Sequence, residues 1–197
     1  MPALMDVLER ASITGLDVRA YIQNLGDSGL ILPRMGIAVS GGGYRALMNG
    51  AGAISAFDNR TANSTAPGQL GGLLQAATYL SGLSGGSWLV GSIYTQNFTT
   101  VDSIIYANEG FLSELWQFNE TVIEGLSTHL LTGNHRGPLL TLHKYLGPAT
   151  LSVREYYQQL QDAVDAKFDA GYNTTITDYW GRSLSYQLVN ASDGGPG

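Results

Sequence analysis

Two glycine-rich junctions constrain what this chain can fold into. Each follows a short apolar run and precedes a helical pattern: Met35-Gly-Ile-Ala-Val-Ser40 runs into Gly41-Gly-Gly-Tyr-Arg-Ala46, and Tyr79-Leu-Ser-Gly82 runs into Leu83-Ser-Gly-Gly-Ser-Trp88. An apolar run that ends in glycines and then turns helical reads as strand, tight loop and helix N-terminus. Strand (35–40), helix (44–57), strand (79–83) and helix (86–94) in this order predict a parallel α/β unit. Both loops then lie at the carboxyl ends of strands, the edge where such sheets bind ligands.

The first loop points free backbone N–H groups at one spot, and the helix end adds a positive partial charge. A phosphate cradle would need Gly-Lys-Ser/Thr or Gly-x-Gly-x-x-Gly, and neither is present at this loop. An oxyanion hole needs only converging N–H donors beside a nucleophile. The second junction offers one: Ser84 sits in Gly82-x-Ser-x-Gly86, the pattern of a nucleophile elbow, where a strained turn exposes the hydroxyl and needs small neighbours. With 26 glycines in 197 residues, chance alone gives about 0.3 matches to this pattern, so its weight comes from the paired glycine loop upstream.

The pair Ser40-Gly-Gly-Gly-Tyr-Arg45 and Gly82-Leu-Ser-Gly-Gly-Ser-Trp88 resembles the signature of the fungal lysophospholipase (phospholipase B) family, related to the catalytic domain of cytosolic phospholipases A. Asn49-Gly-Ala-Gly-Ala53, Leu70-Gly-Gly-Leu-Leu-Gln75 and Thr177-Asp-Tyr-Trp-Gly-Arg-Ser-Leu-Ser-Tyr-Gln187 resemble the same family, so the likeness runs from about Leu16 onward. It implies an α/β, patatin/cytosolic-phospholipase-like layered fold with a central, mainly parallel sheet. The implied chemistry is hydrolysis of fatty-acyl esters in phospholipids and lysophospholipids, at a membrane or micelle surface, by a Ser/Asp dyad without histidine or cofactor. By matched position, Ser84 resembles the acylated nucleophile, Gly42 and Gly43 the oxyanion-hole donors, and Arg45 the arginine that faces the lipid phosphate. The alternative reading of Arg45 is a helix surface charge.

The dyad aspartate is missing from this pattern. In the family it lies far downstream, which makes the 197 residues the N-terminal part of a single catalytic domain, truncated before it. Asp193-Gly194-Gly195 has the right tripeptide, but its neighbours resemble an earlier family segment and Asp-Gly-Gly-Pro is strong turn chemistry. Asp58, Asp102, Asp162, Asp165 and Asp178 carry no recognisable catalytic spacing. Two rival readings remain open. One is a Ser/His/Asp esterase using His129, His135 or His143 with an acid such as Asp102. The other is an inactive, lipid-binding fragment with an unpaired sheet edge. The histidine spacings fail the usual metal-site patterns, and no metal is expected.

Composition narrows the partners. The net charge is −6 and there is no basic run, which argues against nucleic acid. Thr61 to Val101 holds no charged residue, yet Pro67, Gln69, Gln75, Gln96 and many glycines interrupt it, so a membrane span does not emerge. Six sequons, at Asn59, Asn63, Asn97, Asn119, Asn173 and Asn190, stand against about 1.6 expected by chance from ten asparagines. That excess predicts a secreted or cell-surface glycoprotein, although Met1 to Val7 reads as an amphipathic helix and not as a signal peptide. The absence of cysteine assigns no redox compartment.

Further elements follow from periodicity. Asp17 predicts an N-cap for a helix with Val18, Tyr21, Ile22 and Leu25 on its apolar face, stopped by Gly26. Asn59 to Gly68 reads as a surface loop and Leu70 to Ala77 as a helix. Ser152-Val-Arg-Glu155 reads as a capping box opening a helix with Tyr156, Leu160, Val164 and Phe168 on one face. Glu109 to Gly147 reads as an insertion or cap.

Overall fold

The computed structural model describes residues 2–28, 33–106, 115–116, 118 and 153–189. The chain divides into two compact units, residues 1–103 and 104–197. In the first, α1 (Pro2–Arg10) and α2 (Val18–Asp27) precede β1 (Gly36–Val39), α3 (Gly43–Phe57), a single turn α4 (Leu73–Ala76), β2 (Tyr79–Gly82) and α5 (Gly85–Thr95), and α6 (Val101–Ile105) begins in it and crosses the boundary. The second contains α7 (Val153–Asp169) and α8 (Ile176–Leu188).

The expected parallel pairing is present: β1 and β2 pair in register Gly36↔Tyr79, Ile37↔Leu80, Ala38↔Ser81 and Val39↔Gly82. Alternation puts Ile37, Val39, Leu80 and Gly82 on a half-buried face and leaves Gly36, Ala38, Tyr79 and Ser81 exposed on the other. Parallel sheets are ordinarily covered on both faces; here, among the described residues, one face is open. The covered face meets α3 and α5, which pack along each other and bury Leu47, Ala51, Ile54, Leu89 and Ile93. Contact between layers depends on missing side chains. A Cβ on Gly86 would lie 2.4 Å from the Val39 carbonyl oxygen and 2.7 Å from that of Ser40, so the first turn of α5 rests directly on the end of β1.

A second cluster forms from Leu4, Val18 and Ile22, with Met5, Leu8, Leu16, Met35 and Ala76 against it. Asp17 caps α2 as expected, its carboxylate accepting from the Ala20 N–H at 3.0 Å. Two expectations for α2 are corrected. Tyr21 is exposed, because the buried stripe is the narrower Val18 and Ile22 pair, and the helix runs one residue past Gly26 to a Ser28 C-cap.

The helix expected over Leu70 to Ala77 shrinks to one turn. Its first amides are used elsewhere: the Gly71 N–H donates to Ser64 O and the Gly72 N–H to Phe57 O, both at 2.8 Å, and Gly72 takes φ 99°. The loop from Asn59 to Gly68 is thereby laced to the end of α3. Its anchor is Asp58, 2% exposed, whose carboxylate accepts from Arg60 Nη2 at 2.7 Å, Arg60 Nε at 3.0 Å and Gln75 Nε2 at 2.7 Å. Burial pushes the Asp58 pKa up, but the hydrogen bonds from Arg60 and Gln75 and the guanidinium charge outweigh it and hold the carboxyl below its ordinary value.

In the second unit, Leu160 and Val164 of α7 are buried, as are Ser183, Leu184, Gln187 and Leu188 of α8. Phe168, expected on the buried face, is 63% exposed, because α7 is covered over its middle and not at its last turn. A capping box opens α8, with Thr175 and Asp178 each bonding the other's backbone. Ser152, the Tyr156 side chain and nearly all of Glu109 to Gly147 fall outside the described residues.

Two stability outcomes are expected. Gly86→Ala forces the new methyl into backbone oxygen and should cost about 1–3 kcal/mol, whereas Gly91→Ala, with nothing within 4 Å of the added carbon, should gain about 0.5–1 kcal/mol from helix propensity; urea unfolding separates them. Asp58→Asn should cost about 1–3 kcal/mol at pH 7, since the half-exposed Arg60 can turn to water. Because Asp58 binds its proton less readily folded than unfolded, its contribution is complete above about pH 4 and lost as pH falls through the depressed folded value. Acid titration of unfolding should show a shallower fall in the asparagine variant than in the parent.

Candidate active site

The two glycine junctions meet. After β2 the Leu83 N–H still donates to Val39 O at 3.0 Å, and Ser84 then turns the chain with φ 51° and ψ −121°. For a residue with a Cβ this conformation costs on the order of 1–3 kcal/mol. The first turn of α5 holds it in place, because the Ser87 and Trp88 N–H groups both donate to Ser84 O, at 2.8 and 3.1 Å. The side chain is exposed and makes no capping bond to α5. Ser84 is therefore held in a strained turn at the end of β2, with its hydroxyl not committed to the helix it precedes.

The first loop lies against it. A Cβ on Gly41 would stand 3.0 Å from the Ser84 Cβ, and a Cβ on Gly85 would fall 2.0 Å from Gly43 O and 2.8 Å from Gly43 N. Only glycine at position 85 lets the two backbones approach so closely. Gly42, with φ 136°, and Gly43, with φ 65°, take conformations that L side chains rarely adopt, and so turn the loop into α3. Tyr44 and Trp88, each in the opening turns of its helix, pack with ring centroids 5.4 Å apart and an interplanar angle of 55°.

The electrostatics favour an anion. Helices α3 and α5 both start here, neither has a side-chain cap, and neither has an acidic residue in its first turn. That contrasts with the capped starts of α2 and α8. The aligned peptide dipoles make both helix starts partially positive. Arg45, third residue of α3 and exposed, adds a full positive charge where the dipole disfavours one. A bound anion would offset that repulsion. Gly41, Gly42 and Arg45 also line a cleft of about 690 Å³ that runs between β1 and the Ala46, Gly50 and Ala53 side of α3; Ser84 is not part of its lining.

The other candidates fall elsewhere. Asp102 receives the Ser55 hydroxyl at 2.6 Å, in the last turns of α3, away from the end that carries Ser84. Asp58 is held by Arg60, Asp178 caps α8 and meets Lys167, and Asp162 and Asp165 lie exposed on α7. His129, His135, His143 and Asp193 lie outside the described residues, as do Asn119 and Asn190; the sequon residues Asn59, Asn63, Asn97 and Asn173 are all exposed. Sequence reasoning did not single out Gly41, Gly85 or the Tyr44–Trp88 pair. The signal available was an aromatic residue at a similar offset after each glycine run. Among the described residues no helix is long and apolar enough to cross a membrane.

The sequence model of the lysophospholipase catalytic domain matches residues 35–136 and 139–197, which include both junctions. The chain is 52% identical to Lysophospholipase 1 of Aspergillus fumigatus over 194 residues, covering 98% of this chain and 28% of that protein. It is 50% identical to a lysophospholipase of Penicillium chrysogenum, covering 99% of this chain and 29% of that one. A lysophospholipase of Kluyveromyces lactis is 38% identical over 99% of this chain and 27% of its own length. The chain thus spans under a third of the curated relatives it matches. No solved structure matches it. The chain belongs to the lysophospholipase catalytic domain family.

Proposed function

We propose that this chain carries the nucleophile and oxyanion hole of a lysophospholipase that hydrolyses fatty-acyl esters of lysophospholipids and phospholipids. The observation that carries the reading is the approach of the Gly41–Gly43 loop to Ser84 between two uncapped helix starts. Ser84 Oγ attacks the acyl carbonyl carbon and passes its proton to a base. The carbonyl oxygen becomes an oxyanion facing the Gly42 and Gly43 N–H groups, each worth about 3–4 kcal/mol in the transition state. Collapse breaks the ester C–O bond, the departing glycerol oxygen takes a proton, and water then releases the fatty acid by the same steps in reverse. Ser84 thus acts at a nucleophile elbow. Exposed Leu83 beside it offers apolar surface to the acyl chain, and Arg45, permanently charged and forked, suits a lipid phosphate.

The base is the dyad aspartate that the family resemblance implies. We assign it to the part of the domain beyond these residues, with the chain as the N-terminal part of a single catalytic domain. Two facts support that: the chain covers 28% of a relative with which it shares 52% identity, and among the described residues its parallel sheet has two strands and one open face. The same open face supports a patatin/cytosolic-phospholipase-like layering, in which a wider parallel sheet is covered on both sides. Exposure of Asn59, Asn63, Asn97 and Asn173 supports a secreted or cell-surface glycoprotein.

The test uses the full-length protein and lysophosphatidylcholine. Ser84→Ala should lower kcat by about 10⁴-fold or more. Arg45→Ala should lose about 10–100-fold on lysophosphatidylcholine and little on an uncharged short-chain ester. Residual activity of Ser84→Ala above a tenth of wild type would refute the nucleophile, and equal losses on both substrates would refute the headgroup role of Arg45. Treatment of the protein secreted from a eukaryotic host with an N-glycosidase should lower its mass by several glycans; no change would refute the glycoprotein assignment.

A further inference from the structure

Helices α3 and α5 both begin at the proposed reaction centre and run from it side by side, so whatever fixes their far ends also sets their near ends. Fifteen residues of α3 make a rod about 22 Å long, and a tilt of about 3° over that length moves one end by about 1 Å. A misplacement of that size is enough to cost about a hundredfold in rate. The Tyr44–Trp88 contact joins only the near ends and leaves such a tilt open.

The far ends are joined by one guanidinium. Asp58 follows α3 directly and is 2% exposed. Arg60 gives it Nε and Nη2, at 3.0 and 2.7 Å, and the Arg60 backbone N–H adds a third bond at 2.9 Å. The remaining branch, Nη1, reaches the Phe98 carbonyl at 2.9 Å, just beyond the end of α5. Phe98 is itself tied back, its N–H donating to Ile93 O in the last turn of α5 at 2.9 Å. Gln75 Nε2 also donates to Asp58 Oδ1, at 2.7 Å. A parallel link runs from Ser55, in the last turn of α3, to Asp102 of α6 at 2.6 Å.

From this we infer that Asp58 and Arg60 are positioning residues for the reaction at Ser84: they clip the C-terminal ends of α3 and α5 together and so hold the Gly42–Gly43 donors in register with the Ser84 hydroxyl. The inference rests on the lysophospholipase reading of that site. The chemistry of arginine is essential to it, because a planar fork can satisfy a carboxylate with one edge and a carbonyl with its remaining branch. A lysine at the same place keeps the charge beside Asp58 but as a single point, and cannot hold both partners in fixed geometry. The clip lies at the opposite ends of the helices from substrate. A shift of about 1 Å misplaces fixed backbone donors, whereas the long Arg45 side chain can follow a phosphate, so loss of the clip acts on the chemical step more than on lipid binding.

The experiment compares wild type, Arg60→Lys, Arg60→Ala and Ser84→Ala in the full-length protein. It reads kcat and KM on lysophosphatidylcholine, the rate of Ser84 labelling by a fluorophosphonate, and the folded fraction from thermal unfolding. With Ser84→Ala inactive, the expected result is a kcat and a labelling rate reduced about tenfold or more in Arg60→Lys, at unchanged KM and full folding. Arg60→Ala should be lower still per folded molecule. Wild-type kcat in Arg60→Lys, or losses that only follow the folded fraction, would overturn the clip while leaving the function intact. Activity retained by Ser84→Ala would overturn the reading of the site, and the clip with it.

Discussion

Everything at this site depends on two backbones approaching more closely than side chains permit. The turn after β2 and the loop after β1 are in contact through Gly41, Gly43, Gly85 and Gly86, and a Cβ at position 85 would overlap the Gly43 carbonyl. Parallel pairing of β1 with β2 brings both loops to the same edge of the sheet. The glycines then close the remaining gap. A serine in a costly conformation, two helix starts without caps and an exposed arginine would each be a weakness in isolation. Placed together they set a hydroxyl beside two partially positive helix starts, an arrangement suited to acyl transfer.

That arrangement has to be held from elsewhere, because a strained turn relaxes unless its surroundings over-determine it. The holding elements are the buried apolar seam of Leu47, Ala51, Ile54, Leu89 and Ile93 and the polar clip at Asp58 and Arg60. The seam supplies most of the adhesion, since apolar burial is non-directional and scales with area. Directional bonds at the clip can set a register that a seam of small and branched side chains leaves loosely defined.

Much of this was legible in the sequence, for physical reasons. Glycine runs after apolar runs report backbone conformations that few other residues adopt, so both strand-to-helix junctions, the parallel pairing, and the extents of α3 and α5 could be read to within a residue or so. Asp17 announced the start of α2 because capping is local. What could not be read was non-local. The Asp58–Arg60–Phe98 connection spans about forty positions, and nothing in Asn59-Arg60-Thr61 beyond a sequon distinguishes that arginine. The shortening of α4 has the same origin, since the Gly71 and Gly72 amides are claimed by Ser64 and Phe57 and not by the helix that local propensity favours. The sequence pattern likewise put Tyr21 and Phe168 inside, but the buried stripe of α2 is narrower than its apolar face and that of α7 stops short of its last turn.

The most direct measurement of the central claim is a crystal structure of the full-length protein after reaction with a fluorophosphonate, whose phosphonyl group stands in for the tetrahedral intermediate. The account predicts phosphorus bonded to Ser84 Oγ, with one phosphonyl oxygen within hydrogen-bonding distance of the Gly42 and Gly43 N–H groups. An adduct on another residue, or an oxygen turned away from that loop, would contradict it.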